Sequence, residues 1–227
     1  MTSAGRLSAL IYNLIRMAHI VLLGDSIFDN LAYTEGGPDV IAQVRQLLPE
    51  GSHASLLAVD GATIQDVFPQ LKRMPHDATH LVMSAGGNDA IMSAGILDMP
   101  VDSTAQAVAA LSGISLEFEE KYRRVVAACR ETQIPLTICT IYNGCFPEAD
   151  YQRLASTALM VFNDVILRVG IEFGLTMIDL RFVCSSPEDY ANPIEPSSTG
   201  GAKIARSIVS LAMAGSAGNA GARVVTA

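Results

Sequence analysis

His19-Ile20-Val21-Leu22-Leu23-Gly24-Asp25-Ser26-Ile27-Phe28-Asp29-Asn30 is the stretch whose reading decides the fold. Its short apolar run reads as a fully buried strand, and it stops abruptly at Gly-Asp-Ser. Gly24 permits a tight turn that a residue with a side chain would resist. Ser26 then falls just past the strand's carboxyl end, where the next helix starts. In open α/β sheets that edge is where ligands bind. Backbone N–H groups there point at whatever docks. A serine in this place also serves as a helix N-cap, so the rest of the chain has to decide between the two roles.

Three further pieces follow in order, each after an apolar or β-rich segment. Asp60-Gly61-Ala62-Thr63 follows a strand expected at about residues 54–59. Gly86-Gly87-Asn88-Asp89 follows one at about 80–84. Asn192-Pro193-Ile194-Glu195-Pro196-Ser197-Ser198-Thr199-Gly200-Gly201 stands near the C-terminus, before a closing helical pattern at 199–213. Further strands are expected at about 135–141 and 175–178. Helical periods run over 40–48, 63–71, 104–132 (with a break near Ser112-Gly113) and 151–170. The alternation of strand and helix implies a parallel sheet covered on both faces.

The order of these four pieces resembles the SGNH/GDSL hydrolase family, whose blocks supply Ser, Gly, Asn and His. Ser26, Gly61 and Asn88 match the first three. The family's last block reads Asp-x-x-His-Pro-Ser-x-x-Gly; here Asn192 stands in the Asp place and Glu195 in the His place, while Pro196, Ser197 and Gly200 align. The resemblance spans about residues 19–213. It implies an α/β fold, a three-layer α/β/α sandwich with a five-stranded parallel sheet in the flavodoxin-like order 2-1-3-4-5. It also implies a serine esterase. Ser26 is its nucleophile, and the oxyanion hole is made by the Ser26 N–H, the Gly61 N–H and the Asn88 amide. No cofactor and no metal are called for.

The base is the point of departure. The chain has four histidines, His19, His53, His76 and His80. All precede or begin an expected strand, so they belong at the amino edge of a parallel sheet. The extended chain from His19 to Ser26 covers roughly 20 Å. Glu195 is the candidate that remains, since a carboxylate accepts a proton when burial raises its pKa. Losing Asp together with His is coherent: the triad acid orients imidazole and stabilises imidazolium, whereas a second carboxylate would repel a glutamate. Asn192 is expected to orient Glu195 by hydrogen bonding. Two other readings stand beside this one. In one, the fold is kept as a binding protein without hydrolysis. In the other, Asp25, Asp29, Asp60, Asp89 and Glu195 hold a divalent cation for phosphate chemistry. Asp179 and Asp189 read as loop or capping residues.

Composition bounds the rest. Among 227 residues half are hydrophobic and 17% charged, enough for one sizeable core, and the net charge is −8. No basic stripe invites nucleic acid. Cys129, Cys139, Cys145 and Cys184 lack metal-ligand spacing and read as small buried residues of a reduced compartment. Residues 1–18 carry an apolar stripe at helical spacing that is too short to span a bilayer. It lacks a small-residue cleavage site, so a peripheral helix or disorder, and a cytoplasmic location, are expected. The domain is set at 19–214, and 215–227 is expected to be a flexible tail. The partner is a small-molecule ester. Apolar cleft residues are expected from Ile27 and Phe28, from Ile91, Met92 and Ile96, and from Tyr142 and Phe146, suiting a short acyl or aryl group.

Overall fold

The computed structural model describes residues 17–214 and 221–226; the apolar stripe of residues 1–16 lies outside them. Strand β1 (His19–Gly24) is buried along its whole length, as its unbroken apolar run requires. Helix α1 (Val40–Leu47) is capped by Asp39, whose side chain accepts the Ala42 N–H at 2.9 Å, and it ends before Pro49. Then come β2 (His53–Leu56), a 3-10 turn at Ile64–Asp66, α2 (Val67–Leu71), β3 (His80–Ser84) and α3 (Gly87–Met92). Two long helices cover one face, α4 (Thr104–Glu131) and α5 (Ala149–Glu172), with β4 (Leu136–Cys139) between them in sequence. The chain closes with β5 (Thr176–Ile178), α6 (Leu180–Val183), a small hairpin of β6 (Tyr190–Asn192) and β7 (Glu195–Pro196), α7 (Ser198–Met213) and β8 (Arg223–Val225).

The main sheet has the order β2-β1-β3-β4-β5-β8, and every neighbouring pair is parallel. The expected α/β sandwich with strand order 2-1-3-4-5 is therefore present, with one strand more than expected. The sixth strand comes from the segment read as a flexible tail, where Arg223–Val225 pairs with β5. Three residues after a Gly/Ala-rich stretch carry too little pattern to announce a strand on their own.

Alternation along the strands builds two cores. Val21, Leu23, Leu81 and Met83 face α2, α4 and α5, while Ile20, Leu22 and Val82 face α1 and α7. Helix α4 runs unbroken through Ser112-Gly113. Helix α5 is long and apolar enough to cross a membrane, yet Phe162, Val165, Ile166 and Val169 on one side of it are buried against the sheet. Cys129, Cys139 and Cys184 are buried core residues, and burial pushes the Cys129 and Cys184 thiols up to about 12.

Candidate active site

The carboxyl ends of β1 and β3 lie close together because Gly24 has no side chain. A Cβ there would lie 1.6 Å from the Ser84 carbonyl oxygen, and the residue adopts φ +124°. Gln70, fully buried, clamps this turn: its Oε1 accepts the Gly24 N–H at 2.7 Å and its Nε2 donates to the Gly24 carbonyl at 2.8 Å. The Asp25 N–H donates to Ser84 O, binding the first turn to the end of β3. Ser26 follows at the edge of a cleft.

Ser26 Oγ donates to Glu195 Oε1 at 3.1 Å, across 169 residues of sequence. Both side chains are nearly buried, each about 7% exposed. Desolvation raises the Glu195 pKa to about 7, opposed by the hydrogen bond from Ser26. The other carboxylate oxygen, Oε2, is buried and has no hydrogen-bond partner among the described residues. A carboxyl group so placed changes protonation near neutrality and has one oxygen on the serine.

The backbone around Glu195 is held at three points. Tyr142 donates its hydroxyl to Ile194 O at 2.6 Å. Asn192 Oδ1 accepts the N–H groups of Ile194 and Glu195, each at 3.0 Å. Asn30, with no exposed surface, donates from Nδ2 to Pro196 O at 3.1 Å while its Oδ1 accepts the Val40 N–H at 2.9 Å. Asn192 hydrogen-bonds Glu195 through the backbone: it forms an Asx turn that fixes the glutamate's main chain, with no hydrogen bond to the carboxylate among the described residues. Gly200, in the block after Glu195, admits the Asp189 carbonyl so closely that a Cβ would meet it at 2.2 Å. Asp179 caps α6, and Asp189 closes a capping box with Ser186.

The second and third blocks are tied to the first. Asp29 Oδ2 accepts the Asp60 N–H, Asn88 Nδ2 donates to Ala62 O at 2.9 Å, and Asp89 Oδ2 accepts the Ile64 N–H. Asn88 therefore spends one of its two amide N–H bonds on orientation and keeps one. Gly61 takes the left-handed φ of +77°. Among the described residues, neither its N–H nor that of Ser26 is given to a protein acceptor. The five carboxylates weighed as a cation site do not gather into one among the described residues. Asp25, Asp29, Asp60 and Asp89 are engaged by separate backbone N–H or hydroxyl groups. Asp25 is fully buried, and desolvation carries its pKa to about 8.

From Ser26, Asn88 and Glu195 a cavity of about 130 Å³ extends between α4 and α5, where Ile114, Ala155, Ala158 and Phe162 wall it. Among the described residues, no Lys or Arg lines it. Ile27, Ile91, Ile96, Tyr142 and Phe146 line it as expected. Phe28 does not: it is fully buried in the core beneath α1 and α7. Met92 is largely exposed and outside the cavity. The deep wall from α4 and α5 was not legible, because helix residues far from any motif look like ordinary core.

Residues 22–202 match the GDSL-like lipase/acylhydrolase family. The chain belongs to that family. Solved structures agree with this fold. One is an extracellular lipase from Streptomyces rimosus, with 15% identity and a TM-score of 0.64 over 86% of this chain and 99% of that one. Another is the lipase Lip_vut3 from a goat rumen metagenome, at 18% identity and TM-score 0.66, covering 87% and 98%. A third is the acetyl xylan esterase AlAXEase, at 18% and 0.60, covering 85% and 98%. None of the curated proteins matches the chain. Membership in a GDSL family, with esterases and lipases as structural neighbours, supports a hydrolase.

Proposed function

We propose that this GDSL-family member is a serine ester hydrolase that uses Glu195 as its base. The observation that carries the reading is the 3.1 Å hydrogen bond from Ser26 Oγ to Glu195 Oε1. Glu195 takes the hydroxyl proton as Ser26 Oγ attacks the ester carbonyl. The Ser26 and Gly61 N–H groups and the free Asn88 amide hydrogen receive the developing oxyanion. The protonated glutamate then gives its proton to the departing alcohol, leaving an acyl-enzyme. In the second half, water attacks the acyl carbon as Glu195 takes its proton, and Glu195 returns that proton to Ser26 Oγ as the acyl–oxygen bond breaks, releasing the acid and restoring the free serine. Asn30, Asn192 and Tyr142 are positioning residues, acting through the backbone on either side of Glu195.

The substrate is a small ester with a short acyl or aryl group. The apolar cavity is about the size of an engineered core cavity of ~150 Å³ that binds benzene. Hydrolysis of a short p-nitrophenyl ester by the parent and by Glu195→Gln tests the proposal. The variant keeps the shape without the basicity, so turnover should fall at least about 100-fold with an unchanged circular-dichroism spectrum. Equal activity would make the glutamate structural. A parent that neither turns over nor reacts with a serine-directed phosphonate, joined to a gain of activity in Glu195→His, would mark a binding protein on a hydrolase fold.

A further inference from the structure

At the amino edge of the sheet, opposite the Ser26 cleft, stands a cluster for which ester chemistry has no use. Strands β1 and β2 run in parallel with His19 facing His53 in register, so both imidazoles project from the same face of neighbouring strands. Their ring centroids are 3.9 Å apart. Asp77, in the turn before β3, reaches both: its Oδ1 lies 2.9 Å from His19 Nδ1 and its Oδ2 lies 3.3 Å from His53 Nε2. His19 is buried, whereas His53 and Asp77 are about half exposed. The three ligand atoms lie within 4.8 Å of one another.

We propose that His19, His53 and Asp77 form a site for a zinc-like divalent cation that pins together the amino ends of β1, β2 and β3. Two imidazole nitrogens and one carboxylate oxygen are the ligand set of an open tetrahedral zinc site, with water in the fourth place. Bonds of about 2.0–2.2 Å in a tetrahedron put ligand atoms roughly 3.3–3.5 Å apart. The two contacts, 2.9 and 3.3 Å, lie at or just below that spacing, so small outward side-chain shifts admit an ion. His19 also has the outer partner that a metal-bound imidazole needs. Its Nε2 lies 2.8 Å from Ser55 Oγ, two residues along β2 on the same face. With the Nε2 proton given to that hydroxyl, the Nδ1 lone pair points toward Asp77.

Charge favours the same reading. A single dication satisfies both lone pairs and the carboxylate at once. The nitrogen-rich set selects against magnesium and calcium, which prefer oxygen cages. The half-exposed His53 and Asp77 leave a path from solvent. The site sits at the far end of β1 from Ser26, so its consequence is stability rather than turnover.

The full-length protein, treated with EDTA and freed of chelator, is titrated with ZnCl2 by calorimetry and melted with and without it. One ion should bind per chain, and a hundredfold excess over Kd should raise Tm by about 5 °C or more. His53→Ala and Asp77→Asn replace half-exposed side chains and should each weaken binding at least tenfold. His76→Ala, one residue from Asp77 and exposed, should leave it unchanged, and MgCl2 should not shift Tm. Absence of one-to-one binding overturns the proposal. So does binding that survives His53→Ala, binding lost in His76→Ala, or equal stabilisation by magnesium.

Discussion

At the scale of single residues, the departure from the family pattern lies at Asn192 and Glu195, and the proposed chemistry turns on the Glu195 carboxyl group. Burial brings the Glu195 pKa to about 7. Only the unprotonated form accepts the Ser26 proton, so activity should rise with pH along one limb centred near 7. The limb thus falls where an imidazole would titrate, and not in the usual carboxylate range. A kcat/KM profile that is flat from pH 5 to 8 would exclude the role. Asn30 is the residue that sequence reasoning missed. It reads as one more polar loop residue, because its partners at Val40 and Pro196 are 10 and 166 positions away. Asn30→Ala would orphan both buried backbone groups and cost about 2–4 kcal/mol of stability. Its effect on Glu195 is read separately, well below Tm: kcat on a short ester should fall about tenfold or more with little change in KM. Loss of stability with kcat intact would make Asn30 structural only.

At the scale of elements, the sequence was most legible where chain geometry and chemistry impose the same residue. β1 was readable from its apolar run, Gly24 and Ser26. The last block was readable from Pro196, Ser197 and Gly200 even though Asn192 and Glu195 stand in the places of the family's Asp and His. Boundaries were less legible: β2 ends at Leu56, short of the apolar run to Val59, because Leu57 and Ala58 both donate to Leu22 O as the chain leaves the ladder. Ser112-Gly113 looked like a break, yet tertiary packing of the surrounding apolar stripe carries α4 through it. Gly200 makes an element-level test possible. Its missing side chain lets α7 dock on the Asp189 carbonyl, so Gly200→Ala must push the helix start and the Glu195 hairpin apart. Urea unfolding should show a loss of several kcal/mol, with activity falling as well. A variant as stable as the parent would mean that the contact is readily relaxed.

For the molecule as a whole, two buried acids shape the response to pH. Asp25 and Glu195 have folded-state pKa values raised by burial to about 8 and about 7. A raised acid binds its proton more tightly when folded. Its contribution to stability is complete below the unfolded pKa near 4 and is lost as pH rises through the folded value. Urea midpoints should therefore fall between pH 5 and pH 9, and Asp25→Asn should flatten that fall. An unchanged slope in Asp25→Asn would show that the acid ionises freely in the fold. This trait was not legible in the sequence, since Asp25 stands among three other aspartates that look alike. Only the depth of burial separates it from Asp29 and Asp60.

The absence of any Lys or Arg around the cavity among the described residues has a consequence for how charge moves through a catalytic cycle. A histidine base begins neutral and ends as a cation beside the new oxyanion, so opposite charges are created together and attract. A glutamate base begins negative and becomes neutral as the oxyanion appears, so one negative charge merely changes address, from the carboxylate to the substrate oxygen. No ion pair forms to steady the intermediate, and the fixed dipoles of the oxyanion hole carry that task alone. An ester bearing its own carboxylate would add a second negative charge to a chamber with no cation to receive it. Neutral esters should thus be hydrolysed far faster than anionic ones of equal size, with added salt narrowing the gap only at the solvent-exposed mouth. Equal kcat/KM for the two would mean that a positive group reaches the site during turnover.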